Sequence, residues 1–349
     1  MGKYAHFLID DVIWVLRDVA RQRPASLFDN PFLNMLKIAW ENYGVKTQLN
    51  LFYRTSSFYG NDEFTLADMP DTYKEEWKGS SAWLKLGFHA KEEFPDYPLV
   101  NARYEDVKNL FETIKGHVLR FAGEESFTYG VCPHWNTVSE AGVKALYDCG
   151  VRVMDVSVGE AFPYNGNQDS LPYGHALRLL NNRQPETRVY SRGGPDAAIN
   201  NSICAYNHLS PAQLEQTRDN LSSIMDPNTG MRFKKFHMPQ QTLNLMACEE
   251  VEDNLSRLIG NEYIGVCTHE QYFYPDYLSY QPDYAKKVFA MGACLQMAGY
   301  AFLYPEEIIP RLSIKSILCY RESKSDIVSN KKRDIMVTTE ETAAKELEK

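Results

Sequence analysis

Through its first 156 residues the chain alternates short apolar, strand-like runs with stretches of helical periodicity, and this alternation limits the fold more than any other feature. Residues 5–9 read as a strand. Residues 31–43 place apolar side chains at helical spacing and stop at Gly44, residues 45–53 form a second strand, and residues 66–78 are helical again. A third strand at 83–89, a helix at 104–120, a strand at 126–132, a helix at 139–149 stopped by Gly150 and a strand at 151–156 complete the run. Repeated strand–helix units predict parallel strands wrapped by outer helices. With 349 residues and 44% apolar content, the chain can bury the single large core of a β/α barrel.

The pattern breaks between about residues 162 and 245, where Gly, Asn and Pro cluster and residues 176–180 and 187–191 are placed to pair as a hairpin. Strand–helix order returns with a helix at 249–258, a strand at 263–268 and a helix at 284–298. The expected organisation is one catalytic barrel domain over residues 1–320, carrying an insertion at about 162–245. A charged tail follows at 321–349.

A net charge of −9 argues against an extended grip on nucleic acid or anionic lipid, both of which need clustered Lys and Arg. The expected partner is a small or uncharged molecule. Seven cysteines without a Cys-x-x-Cys pair read as reduced thiols. No apolar run reaches the roughly 18–20 residues that span a bilayer, and no leader pattern is visible, so the expected location is cytoplasmic.

Chemistry concentrates at strand ends. The first strand runs into Asp10-Asp11, and buried carboxylates need a metal, a cation or a proton-transfer role. Leu86-Gly87-Phe88-His89 ends the third strand, Cys132-Pro133-His134-Trp135 follows the fourth, and Val266-Cys267-Thr268-His269 ends a late one. Taken singly, an Asp pair can cap a helix and a strand-end His can be structural. Four successive tips bearing Asp or His are harder to explain that way, because parallel strands in a barrel deliver their C-terminal tips to one mouth. Such a set suits a divalent cation, zinc foremost, with cobalt, manganese or nickel as alternatives. His6, His117, His175, His208 and His237 lack a supporting constellation and read as structural or surface residues.

The order of these motifs resembles the polysaccharide deacetylase superfamily of carbohydrate esterases, over roughly residues 4–156 and 262–302. The resemblance implies a deformed (β/α) barrel in which Asp10 is the base and Asp11 a metal ligand. His89 matches the first His of the family's next motif, but Glu93 stands where a second His is expected four positions on. The third ligand is then His134 or Glu93, with His134 preferred because it too ends a strand. Cys132-Pro133-His134-Trp135 resembles the family's groove motif without its Arg, and Val266-Cys267-Thr268-His269 resembles the closing motif, whose His acts as acid.

The implied reaction is metal-dependent removal of an acetyl group from an N-acetylated or O-acetylated sugar, with Trp135, Trp14 and Tyr272 as stacking surfaces for a sugar ring. Two rivals use the same barrel. One is a metal-free glycoside hydrolase with carboxylates such as Asp11 and Glu270 as acid and base, and the other is a barrel that binds carbohydrate without catalysis.

Overall fold

The computed structural model describes residues 2–56, 62–94, 98–99, 102–136, 138–157, 223–226, 228–236, 242–277, 279–312 and 317–319. In chain order its elements are β1 (Tyr4–Val12), α1 (Trp14–Gln22), α2 (Pro31–Tyr43), β2 (Thr47–Phe52), α3 (Lys74–Ser80), β3 (Leu84–Ala90), α4 (Tyr104–Phe121), β4 (Gly130–Val131), α5 (Glu140–Asp148) and β5 (Val153–Ser157). There follow β6 (Ser223–Met225), β7 (Arg232–Phe236), α6 (Val251–Ser256), β8 (Tyr263–His269), α7 (Tyr284–Met297), β9 (Ala301–Phe302), α8 (Pro305–Ile308) and β10 (Ile317–Cys319).

The strands form two sheets. The first has the order β3-β2-β1-β8 with every pair parallel, and β9 adds to β1. The second has the order β10-β6-β7-β5-β4, in which only the β6–β7 pair is antiparallel. A parallel bridge from Leu86 on β3 to Phe127 links the sheets just before β4. On the other flank, a parallel bridge joins Thr242, six residues beyond β7, to Cys267 on β8. This is a mixed α/β fold of the barrel type, as the alternation predicts.

Helix α2 shows how local sequence sets an element. The Asn30 side chain accepts the N–H groups of Phe32 and Leu33, Pro31 occupies the first turn, and Gly44 ends the helix in the left-handed conformation at φ 69°. Its buried stripe of Phe32, Leu33, Met35, Leu36 and Ala39 packs into the main core. That core lies between strands and helices: Ala5, Phe7 and Ile9 of β1 belong to it, whereas Leu8 sits in a separate small cluster with Cys132 and Cys267.

Several expected elements differ. Residues 66–78 are not one helix: a 3-10 turn at Leu66–Asp68 precedes α3, because Pro70 lacks an N–H and drives Met69 into the extended region. The strand expected at 126–132 shrinks to Gly130–Val131. Ser126 lies in a 3-10 turn and bonds the Ala122 carbonyl, while the Thr128 hydroxyl takes the Gly130 N–H, so side-chain bonds flank a pairing with β3 reduced to the bridge between Phe127 and Leu86. The helix expected at 249–258 is the 3-10 turn Cys248–Glu250 followed by α6. Strands β6 and β7 fall inside the stretch read as an insertion, and β7 pairs with β5 as part of the second sheet. The expected hairpin at 176–191 and the tail at 321–349 lie outside the described residues. Cys132, Cys149, Cys248, Cys267 and Cys294 are free thiols. Among the described residues no helix is long and apolar enough to cross a membrane.

Candidate metal centre

Adjacent residues on a strand face opposite sides, so Asp10 and Asp11 should not both reach the barrel mouth. A β-bulge resolves this. The register of β1 on β2 runs Ile9 to Leu49 and then Val12 to Leu51, which leaves Asp10 and Asp11 together opposite Asn50 alone. Asp11 takes the left-handed conformation, at φ 62°. The pair is buried, at 7% and 5% exposure for Asp10 and Asp11.

Asp11 Oδ1 lies 3.0 Å from His89 Nε2 and 3.1 Å from His134 Nδ1, and the two nitrogens are 3.1 Å apart. The outer nitrogen of each ring faces a backbone carbonyl: His89 Nδ1 donates to Cys132 O and His134 Nε2 to Glu93 O, at 2.5 and 3.0 Å. A carbonyl only accepts, so these nitrogens carry the protons and the inner nitrogens of the neutral rings present lone pairs. With both rings neutral, three acceptors thus converge with no donor among them, a set of atoms that could hold a cation. The edges of this triangle are close to the about 3.3 Å expected between ligands held at 2.0–2.1 Å around tetrahedral zinc. One carboxylate and two imidazoles suit such an ion. Phe52 packs on both rings, with centroids 5.2 Å from His89 and 5.0 Å from His134.

Without a metal the cation is a proton. Burial pulls the His134 pKa down, but the Asp11 carboxylate outweighs it and raises His134 to about 9. Burial acts to raise Asp11, yet His134 and His89 hold it well below the usual carboxylate range.

Around this triangle the other expected residues take distinct places. Asp10 Oδ1 accepts the Asn50 side-chain N–H at 2.6 Å, and the Cys132 thiol points at Asp10 Oδ2 from 3.6 Å. Asp10, His89 and Cys132 form a second group near enough to share an ion. It is chemically poorer: His89 Nδ1 is occupied by the Cys132 carbonyl, and burial raises the Cys132 thiol well above its ordinary value, so the sulfur stays protonated. The Glu93 carboxylate is outside the triangle, where it accepts from Gln271 at 2.9 Å, and this chain meets His134 through the Glu93 carbonyl instead.

His269 pairs in register with Asp10 across β8 and β1, and its Nδ1 donates to Asn244 Oδ1 at 2.9 Å. The amide fixes the ring and directs Nε2 away from Asn244. Trp135 is half-buried beside His134 in the left-handed conformation, at φ 59°. Tyr272, also half-buried, packs on His269 at 6.2 Å. Trp14 takes a different place from the one expected: at 6% exposure it is wedged against Tyr274 and Tyr277 under the Arg17 guanidinium, a core side chain with no open face for a sugar.

Glu270 is fully buried, and its carboxylate accepts the backbone N–H groups of Ile13, Trp14 and Val15 at 2.6 to 2.8 Å. A carboxylate occupied in this way is not placed for the acid–base role that the metal-free hydrolase requires.

Sequence reasoning missed Asn50, Gln48 and Asn244. The β2 sequence Thr47-Gln48-Leu49-Asn50-Leu51 carries a period-2 signal that would have found the first two, since alternate amides mark one polar face. Asn244 sits at the end of the stretch without strand–helix order, with no motif around it.

No family model and no curated protein sequence matches the chain. Among solved structures, the 4-alpha-glucanotransferase of Thermococcus litoralis aligns at a TM-score of 0.53 and 12% identity over 90% of this chain. The chain spans 41% of that protein. A Mycobacterium smegmatis protein described as a polysaccharide deacetylase aligns at a TM-score of 0.48 and 8% identity, covering 94% of this chain and 96% of the other. The first likeness shows a shared fold.

Proposed function

We propose that this chain is a metal-dependent hydrolase that deacetylates an N-acetylated or O-acetylated sugar or oligosaccharide. One observation carries the reading: three lone-pair atoms from Asp11, His89 and His134 converge within 3.1 Å while the outer nitrogens of both rings are tied to carbonyls. That arrangement supports zinc as the resident ion, with cobalt, manganese or nickel as substitutes. Such an ion supplies Lewis-acid chemistry, polarising the acetyl carbonyl and acidifying water.

The remaining steps belong to side chains. Asp10 accepts the proton of the attacking water, and the Asn50 amide holds its carboxylate in place from behind. His269, fixed by Asn244, carries a proton on Nε2 and delivers it to the departing amine or alkoxide as the bond to the acetyl carbon breaks. Water and the acetylated sugar thus give acetate and the free amine or alcohol. Trp135, packed beside His134, and Tyr272, packed beside His269, retain exposure, which suits stacking against a sugar ring.

The test is acetate release from a panel of N- and O-acetylated sugars with added zinc, cobalt or manganese. Asp10→Asn and His269→Ala should each keep the metal and lose roughly two to four orders of magnitude in turnover. Sugar binding without acetate release would replace this reading with a carbohydrate-binding barrel. Cleavage of glycosidic bonds would replace it with a glycoside hydrolase.

A further inference from the structure

Helix α1 begins three residues after Asp11, and its first turn lacks the usual means of satisfying exposed N–H groups. The N-cap is Ile13, which has no side-chain acceptor, and the first turn contains no acidic residue. The missing acceptor comes from the far end of the sequence. Glu270 Oε2 takes the N–H groups of Ile13 and Trp14 at 2.7 and 2.8 Å, and Oε1 takes that of Val15 at 2.6 Å. Both carboxylate oxygens are engaged and the side chain is fully buried; burial pushes its pKa up to about 7, while the three N–H bonds and the helix dipole act in favour of the anion.

The clamp has a geometric consequence for the candidate metal ligand. Between the bulge and the helix lie only Val12, which is still paired with Leu51 of β2, and the N-cap Ile13. Asp11 is therefore held in its left-handed conformation from both sides, by the β2 ladder and by the Glu270 bonds to the next turn. Non-glycine residues persist in that region only where their surroundings fix them. Without the clamp, the start of α1 can relax, and strand alternation would return the Asp11 carboxylate toward the outer face.

We infer that Glu270 is the positioning residue of the metal centre: by capping α1 it locks the bulge that turns Asp11 toward His89 and His134. This rests on the metal-centre reading above. It also gives adjacent residues His269 and Glu270 two different tasks at one strand end, one toward the mouth and one toward the chain that presents Asp11.

Glu270→Gln is the direct test, because one acceptor oxygen becomes an NH2 group facing N–H donors while the size is kept. Zinc affinity is measured by competition with a chromophoric chelator, and the cobalt form is compared by its absorption spectrum. Glu270→Gln should bind zinc roughly 10- to 100-fold more weakly than the unaltered protein, the range for residues that orient metal ligands, and its cobalt spectrum should change. Val118→Ala, which opens a cavity under α4 far along the chain from the bulge, supplies a destabilised control and should keep both affinity and spectrum. Should Glu270→Gln not fold, Glu270→Asp, with the anion retained on a shorter arm, should show a smaller loss in the same direction. Unchanged zinc affinity and spectrum in the Glu270 variant that folds, or an equal loss in Val118→Ala, overturns the inference while leaving the metal centre intact. If the unaltered protein binds no zinc, the metal-centre reading fails and takes this inference with it.

Discussion

The inner and outer faces of β1, β2 and β3 are both largely buried, yet most of the polar side chains stand on one and most of the apolar ones on the other. On the outer face Ala5, Phe7, Ile9, Leu49, Leu51, Leu86 and Phe88 have no exposed surface and pack beneath the helices. On the inner face stand His6, Asp10, Gln48, Asn50 and His89, none more than 7% exposed. The first four are joined by hydrogen bonds: His6 Nε2 to Gln48 Oε1 at 3.2 Å, Gln48 Nε2 to Asn50 Oδ1 at 2.7 Å, and Asn50 Nδ2 to Asp10 Oδ1 at 2.6 Å. The direction of this ladder is set at its top, since a carboxylate only accepts and Asn50 must turn its donor toward Asp10. Burial by itself therefore says little about a side chain's task here. The outer face stabilises the fold through apolar area, whereas the inner face uses a hydrogen-bonded polar network to place one carboxylate.

Substitutions on the two faces should fail in different ways. The largest effect on stability is expected from Phe88→Ala, which empties a site packed against Phe111 and should cost about 3–5 kcal/mol in denaturant unfolding. At low temperature the folded fraction of that variant should still bind zinc with unaltered affinity. Gly87→Ala, one residue away on the inner face, should cost less, about 1–3 kcal/mol. A Cβ at Gly87 would lie 3.0 Å from Thr128 Cγ2, 3.1 Å from Asn50 Oδ1 and 3.3 Å from Gln48 Nε2, so the amide ladder must shift. Its signature should be a drop in turnover out of proportion to the stability loss. If Gly87→Ala lowers stability and leaves turnover untouched, the division of labour between the faces is wrong.

Much of the fold was legible because its signals are local. Helix α2 carries its own start and stop in Asn30, Pro31 and Gly44, and β1, β3 and β8 end close to where their apolar runs end. Helix α3 is shorter than its periodicity predicts because Pro70 breaks the segment, and β4 is shorter because Ser126 and Thr128 make side-chain bonds that leave no trace in composition. At the candidate site, residue types were legible but geometry was not. The bulge at Asp10-Asp11 depends on pairing with β2, and the role of Glu270 depends on a helix more than 250 positions away in sequence. Both are tertiary facts, out of reach of any pattern within a short window.

The central claim is that Asp11, His89 and His134 form a cation site, and zinc stoichiometry at equal free metal tests it most directly. The unaltered protein should take up one zinc per chain at pH 7, and Asp11→Ala should take up none while remaining folded. Because Asp11 raises His134 to about 9, zinc must displace a proton below that pH. Affinity should therefore rise about tenfold per pH unit from pH 7 toward 9 and level off above it. A stoichiometric zinc retained by Asp11→Ala, or no zinc in the unaltered protein, would contradict the account.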